Sequence, residues 1–370
     1  MLSEAREYMA RALDLAEGGR GSASPNPLVG AVLVREDRVV GEGFHRRPGE
    51  PHAEAVALAA AAGRARGATL YVTLEPCAHQ GRTPPCADAL VEAGVSRVVV
   101  ATGDPHPLVD GRGILRLRGA GIEVEVGLCE AEARRQNEAF FVYARHGRPF
   151  FVVKSAASLD GKVAARDGSA RWITGEAARE DAHRLRGELD AVMVGVGTIL
   201  ADDPLLTCRG AGFAGRAPWR VVVDSRGRTP AGARVLTDRA APTVIATTAQ
   251  ASEETVALWQ SAGAKVWRLP ARGDGSVDLG ALGARLGLEE ITSVLVEGGP
   301  TLAAAMVAEG LADKFVVYVA PKLLGGTAPS LIGGAGVAGV TAAWRLEFDE
   351  VTRVGEDIRI VAYPAGEGAA

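Results

Sequence analysis

Strand and helix periodicities alternate along this chain in two series, interrupted once near residue 147. Residues 29–44, VGAVLVREDRVVGEGF, alternate apolar and polar positions around a turn-like RED and predict a hairpin. HAEAVALAAAAG then predicts a helix stopped by Gly63, ATLYVTLEP a buried strand, CADALVEAG a helix, SRVVVAT a strand, GRGILRLRGAG a helix and IEVEVG a short strand. A helix over about Glu130 to Arg145 follows, and RHGRPF reads as a linker. Strands alternating with helices predict an α/β layered unit around a largely parallel sheet. The pattern restarts at FFVVKSAASLDG, with β-like runs at AVMVGVG, WRVVVDS, TVIATT, SVLVEGG, DKFVVYVAP and DIRIVAYP. Two α/β domains are expected, over residues 1–146 and 147–370, with no internal repeat and only the tail PAGEGAA reading as disordered.

Composition narrows the setting. A formal net charge of −4 with no long run of either sign argues against non-specific nucleic-acid binding. The opening MLSEAREYMARALDLAEGG mixes charges among apolar residues at helical spacing, unlike a signal peptide, and no apolar run approaches the roughly 20 residues of a membrane helix. A cytoplasmic location with no membrane partner is expected. Cysteines occur only at 77, 86, 129 and 208, too few to staple a chain long enough to fold by burial alone. Closely spaced cysteines with a histidine upstream then point to metal or chemistry.

Catalytic zinc takes three protein ligands and leaves one position for water. His52, Cys77 and Cys86 offer such a set, with Glu54 beside it. Prolines before Cys86 and the helical ADALVEAG after it place this thiol at a helix N-terminus, where the dipole favours thiolate, while Cys77 ends a strand. His52 and Glu54, two apart, converge only if His52 sits at or before the helix cap. Zinc deaminases join H-x-E to P-C-x-x-C, with the glutamate as proton shuttle; here HAE and PC match, but eight residues separate the cysteines. A structural zinc with His79 as fourth ligand, or plain buried thiols, remain alternatives. Cys129 and Cys208 read as structural thiols.

In the second half, SVLVEGGPTLAAAMVAEG predicts a strand, a glycine pair and a helix opened by Pro300, so backbone N–H groups from Gly299 onward can face a diphosphate. Glycine pairs also serve as simple tight turns. No G-x-G-x-x-G follows an early strand, so the usual dinucleotide fingerprint is absent.

With PNPLVGAV, HAE, CAHQGRTPPC and GDPHPLVDGRGI, and then VKSAASLDGKVA, RWITG, LRGELDAVMVGVGTILADDPLLTCR and VVVDSRGR in that order, the whole chain resembles the bifunctional riboflavin-biosynthesis deaminase/reductase family. The resemblance implies an N-terminal three-layer cytidine-deaminase-like domain followed by a dihydrofolate-reductase-like α/β domain. It implies zinc on His52, Cys77 and Cys86, Glu54 as proton relay, and deaminase substrate contacts at Asn26, His45, Arg82, Thr83 and Asp104. NADPH would lie against Ala156, Trp172, Thr198, Asp202, Ser225 and the segment Gly299, Pro300, Thr301, Leu302, Ala303, Ala304, Ala305. Ala170, Arg186, Leu206, Arg209 and Glu297 would face the sugar phosphate. Ser225 and Arg226 could hold a 2′-phosphate, and Lys154, at the end of the domain's first strand, could protonate a sugar oxygen; a surface lysine is the plain alternative. His106 stands where the family usually has asparagine. The implied activity is hydrolytic deamination of a phosphorylated diaminopyrimidine riboside, then reduction of its ribosyl group to ribityl. A nucleic-acid or free-nucleobase zinc deaminase with a degenerate dinucleotide domain is the rival; the acidic balance and 5% aromatic content disfavour a nucleic-acid groove. A zinc-stabilised scaffold would bind metal without turnover. Homo-oligomer formation is left open.

Overall fold

The computed structural model describes residues 2–80, 84–208 and 217–366. It divides into two compact units between Gly147 and Arg148. In the first, β1 (Gly30–Arg35) and β2 (Arg38–Phe44) form a hairpin, turned through Glu36 and Asp37 at φ 50° and 57°, the left-handed values that a two-residue hairpin turn demands. β1 also runs antiparallel to β3 (Thr69–Val72), whereas β3, β4 (Arg97–Val100) and β5 (Glu123–Val126) are parallel, in the order β2-β1-β3-β4-β5. The sheet is therefore mixed and not largely parallel as expected, because the tight hairpin fixes an antiparallel pair at one edge.

Alternation along the strands builds three layers. Ala31, Leu33, Leu70, Val72, Val98 and Val100 face one way and pack with Ala53, Ala57, Ala87, Leu90 and Leu117. These partners lie on helices Ala53–Ala61, Cys86–Ala93 and Arg112–Gly119. Val32, Val34, Tyr71 and Val99 face the other way, with Met9 and Ala12 of helix Leu2–Ala16. Each such valine or leucine is worth about 1.5–3 kcal/mol of burial. Helix Ala53–Ala61 lies close on the hairpin because Gly41 has no Cβ, which would sit 2.2 Å from the Ala57 carbonyl oxygen. That contact fixes the helix start, where His52 and Glu54 lie.

The single helix expected over about Glu130 to Arg145 is two, Glu130–Gln136 and Glu138–His146, parted at Asn137. Asn137, 3% exposed, accepts the Leu28 N–H on Oδ1 at 2.7 Å and donates from Nδ2 to the Leu28 carbonyl at 2.9 Å. It completes the Leu28 backbone as a neighbouring strand would, and so holds the loop that carries Asn26. The second helix reaches His146 and the next strand begins at Phe150, so the expected linker RHGRPF shrinks to residues 147–149.

Among the described residues the second unit has nine strands: β6 (Phe150–Ser158), β7 (Ala191–Gly195), β8 (Trp219–Val223), β9 (Thr243–Thr247), β10 (Lys265–Arg268), β11 (Ser293–Val296), β12 (Lys314–Ala320), β13 (Leu346–Val354) and β14 (Asp357–Pro364). Their order is β10-β9-β8-β7-β11-β6-β12-β14-β13. All neighbours through β12 are parallel, and β14 and β13 are antiparallel additions. The β-like runs read from the sequence coincide with strands, but β10 and β13 were not among them. β13 lies exposed at the sheet edge and a bulge between Phe348 and Glu350 breaks its alternation. Central strands β7 and β11 carry continuous apolar runs, as a parallel sheet covered on both faces requires.

Replacing Asn137 by alanine should strand the Leu28 N–H and carbonyl and lower stability by about 1–3 kcal/mol, read as a shift in the urea midpoint of the first unit.

Candidate metal centre and dinucleotide cavity

His52 is the N-cap of helix Ala53–Ala61, in extended conformation (φ −70°, ψ 163°), and this is how it and Glu54 come to share one side of the helix start. Cys86 opens helix Cys86–Ala93. Cys77 does not end a strand as expected: β3 stops at Val72 and Cys77 lies in the loop beyond. His52 Nδ1 is 3.6 Å from Cys77 Sγ and 3.3 Å from Cys86 Sγ, and the three donor atoms all lie within 4.8 Å of one another. One imidazole and two thiols at such spacing form a donor set of the kind zinc selects.

The electrostatics differ from expectation at one point. The helix N-terminus does not serve the Cys86 sulfur, because the Cys86 backbone N–H donates to Cys77 Sγ at 3.4 Å. A hydrogen bond from the Cys86 thiol, with further help from that N–H and His52, pushes Cys77 down to about 4. Donating that bond holds Cys86 well above its ordinary value. Hydrogen bonding to Cys77 raises His52. Glu54, 3% exposed, is pushed up to about 7 by burial, which outweighs the pull of His52.

Asn26 Nδ2 donates to His45 Nε2 at 2.9 Å and His45 Nδ1 donates to the Pro51 carbonyl at 3.1 Å. We assign the neutral tautomer on this network, in keeping with the downward push of burial on His45. The His45 and His52 rings meet edge to face at 5.3 Å. Asp104 is nearly buried and its Oδ1 accepts the His106 N–H at 2.8 Å; burial raises it to about 7. Burial, then His79, lower His106, and His79 Nδ1 is buried without a hydrogen-bond partner. His79 is not within the three-donor cluster. Arg82 and Thr83 lie outside the described residues.

The second unit holds a cavity of about 930 Å³. Two glycine-bearing strand-to-helix junctions open into it side by side: Gly195, the last residue of β7 and N-cap of helix Val196–Asp202, with Gly197 in its first turn, and Gly298–Gly299 after the neighbouring β11. Pro300 begins helix Pro300–Ala308, with Gly299 as N-cap; Pro300 has no N–H, and those of Leu302 and Ala303 donate to the Gly299 carbonyl, so of this first turn the Thr301 N–H is the donor left to face an anion. Ala156, Ala170, Trp172, Thr198, Asp202, Ser225, Arg226, Glu297, Gly299, Pro300, Thr301, Leu302 and Ala305 line the cavity. Ala303 does not, being buried in the core cluster, and Ala304 is likewise absent from the lining; a helix face of this pitch cannot present every residue to one side. Ser225 Oγ accepts the Val277 N–H at 3.0 Å, leaving its own O–H free to donate. Trp172 is 63% exposed with the Arg179 guanidinium 4.6 Å from its ring centroid.

Arg186 and Leu206 do not line the cavity. Leu206 is buried. Arg186 pairs with Glu297 through two bonds, Nε to Oε1 at 2.7 Å and Nη2 to Oε2 at 2.5 Å, and Nη1 donates to the Thr207 carbonyl at 3.3 Å. Its donors are thus engaged within the protein, and Glu297 is the member of the pair that faces the cavity. Arg209 lies outside the described residues. Lys154 is not at a strand end but within β6, opposite Val316, and it is no surface lysine: its Nζ lies 5.7 Å from the Tyr318 ring centroid, and burial lowers it while Glu297 resists. Burial alone would raise Glu297, but Lys154 and then Arg186 bring it down to about 2. Glu75 and Asn137, whose carboxylate and amide hold loops of the first unit, are absent from the motifs that point to chemistry; only burial and backbone bonding reveal them.

A family model described as RibD C-terminal domain matches residues 149–360, and one described as cytidine and deoxycytidylate deaminase zinc-binding region matches residues 2–102. The chain is 43% identical over 355 residues to riboflavin biosynthesis protein RibD of Aquifex aeolicus, covering 96% of this chain and 97% of that one. It is 44% identical over 362 residues to the protein of that name from Escherichia coli, covering 95% and 97%. Among solved structures, Acinetobacter baumannii RibD superposes with a TM-score of 0.89 at 40% identity, covering 99% of this chain and 100% of that one. A diaminohydroxyphosphoribosylaminopyrimidine deaminase/5-amino-6-(5-phosphoribosylamino)uracil reductase from Thermotoga maritima does so at 0.84 and 34%, covering 98% and 99%.

With a folded value near 2 against about 4.3 unfolded, Glu297 stabilises the second unit fully above pH 4.3, and that contribution fades as pH falls toward 2. Denaturation at stepped pH should show Glu297→Gln removing this part of the acid slope. At pH 7 the variant should lose about 3–5 kcal/mol by stranding buried cations.

Proposed function

Because the chain belongs to the RibD family of riboflavin-biosynthesis proteins, we propose that its first unit deaminates a phosphorylated diaminopyrimidine riboside and its second reduces the ribosyl group to ribityl with NADPH. The observation that carries the first half is the convergence of His52, Cys77 and Cys86 beside a buried carboxyl, Glu54. Zinc on these three ligands would displace the proton the sulfurs share and acidify a water. Glu54, balanced near neutrality, takes a proton from water and returns it to the departing ammonia, since a group of that pKa both accepts and releases protons at working pH. Asn26, its amide fixed by the neutral His45, orients the pyrimidine through its remaining polar atom, and Asp104 with Arg82 and Thr83 completes the contacts.

In the second unit NADPH supplies the hydride. The strand-to-helix junctions at Gly195–Gly197 and Gly298–Gly299 receive its diphosphate, and the free Ser225 O–H with Arg226 binds the 2′-phosphate, supported by their shared place on the cavity wall. Arg186 acts by gripping Glu297, which then accepts hydrogen bonds from sugar hydroxyls, with Ala170 and Arg209 serving the sugar phosphate; Leu206, buried away from the cavity, takes no part. Lys154, kept near Glu297 and eased toward proton release by burial, donates a proton as the ribosyl ring opens. Four free cysteines suit a reducing compartment, and among the described residues no helix is long and apolar enough to cross a membrane; we take the enzyme to act in the cytoplasm. The open edge of β13, with Phe348 72% exposed, supports assembly into a homo-oligomer.

Glu54→Gln should retain zinc and the reductase activity while slowing ammonia release by about 10²–10⁴, measured on the diaminopyrimidine ribotide beside metal analysis. Chelation of the wild type should stop ammonia release and spare NADPH oxidation. Ammonia release at the normal rate by a zinc-loaded Glu54→Gln would remove the proton relay from this reading.

A further inference from the structure

LEPC contains an acid with no part in the chemistry assigned above. Glu75 is 5% exposed, and its side chain points across to the loop after β4. Oε2 accepts N–H groups from Asp104 at 3.3 Å and Gly111 at 3.0 Å. Oε1 accepts those of Gly113 at 2.9 Å and Ile114 at 3.2 Å. Its own N–H donates to the Thr102 carbonyl at 3.0 Å. Helix Arg112–Gly119 has no side-chain cap from its own N-cap, Gly111; Glu75 caps it from the loop beyond β3, satisfying orphan donors of its first turn. The approach is close: a Cβ on Gly113 would fall 1.8 Å from the Pro76 carbonyl oxygen. Glu75 and Pro76 lead directly into Cys77, while the captured loop bears Asp104 and His106.

We propose that Glu75 is a positioning residue for the deamination: its carboxylate sets the separation between the loop that holds the metal ligand Cys77 and the loop that holds the pyrimidine through Asp104. The inference rests on the deaminase reading. A carboxylate suits the task because it is acceptor only and faces four converging donors. Glutamine in its place would turn an NH₂ group toward two of those N–H groups, so the substrate loop would shift while the sulfur ligands stayed.

The test uses the full-length, zinc-loaded protein with Glu75→Gln and the milder Glu75→Asp, which keeps the charge one methylene short. Zinc stoichiometry, deaminase KM and kcat, and reductase activity are measured on each. We expect Glu75→Gln to keep its zinc and reductase rate and to raise the deaminase KM about tenfold or more, with kcat within about twofold. Glu75→Asp should show the same pattern to a smaller degree, and it decides the matter if the glutamine variant does not fold. An unchanged KM, a fall in kcat alone, or loss of zinc in the folded variants would each overturn the proposal. A wild type that releases no ammonia would instead overturn the deaminase reading itself.

Discussion

An imidazole and two sulfurs held within 4.8 Å of one another form the constraint around which the first unit is arranged. None of the three comes from the middle of a regular element. His52 caps one helix, Cys86 opens another and Cys77 hangs in the loop beyond β3. Chain ends of this kind have free dihedrals and unpaired backbone donors, so they can be aimed, but they hold no position by themselves. The rigid parts must supply it: a glycine lets the His52 helix lie close on the hairpin, and a buried carboxylate ties the Cys77 loop to the helix beyond β4. The polar groups near the ligands are then tuned by what surrounds them, with burial lifting Glu54 and Asp104 to about 7.

Charge is handled differently in the second unit. Glu297, Arg186 and Lys154 are largely withdrawn from water at the cavity wall, and each is tolerable because the others are present. Such a group adds a fixed, buried field to a cavity whose wall also carries charged side chains such as Asp202, Arg226 and Arg228. It also accounts for an arginine that reads as a phosphate partner in sequence yet is committed to a protein carboxylate in space.

Most elements were legible because they obey one rule each. The alternation around the β1–β2 hairpin, the continuous apolar run of β7, the proline and glycines around helix Pro300–Ala308, and the H-x-E before two cysteines are all local signals. Where the reading failed, a distant contact had decided the outcome. The helix after Glu130 breaks at Asn137 because that amide bonds Leu28, 109 positions away. β13 escaped because a bulge disrupts its alternation. Cys86 opens its helix as the sequence implies, but only the fold shows that its backbone N–H is given to the sulfur of Cys77. Glu75 looked like an ordinary acid in a loop, for its four partners lie 29 to 39 residues onward.

The order β11-β6-β12 bears on how the chain is made. The first unit has all its strands in hand once residue 147 leaves the ribosome and can collapse at once. β6 emerges next, carrying the apolar FFVV, yet both its neighbours begin only at Ser293 and Lys314. At translation speeds of about 5–20 residues per second, that strand waits roughly ten seconds or more with its edges unsatisfied. During that interval its unpaired edges are the kind of surface on which partly made chains associate wrongly.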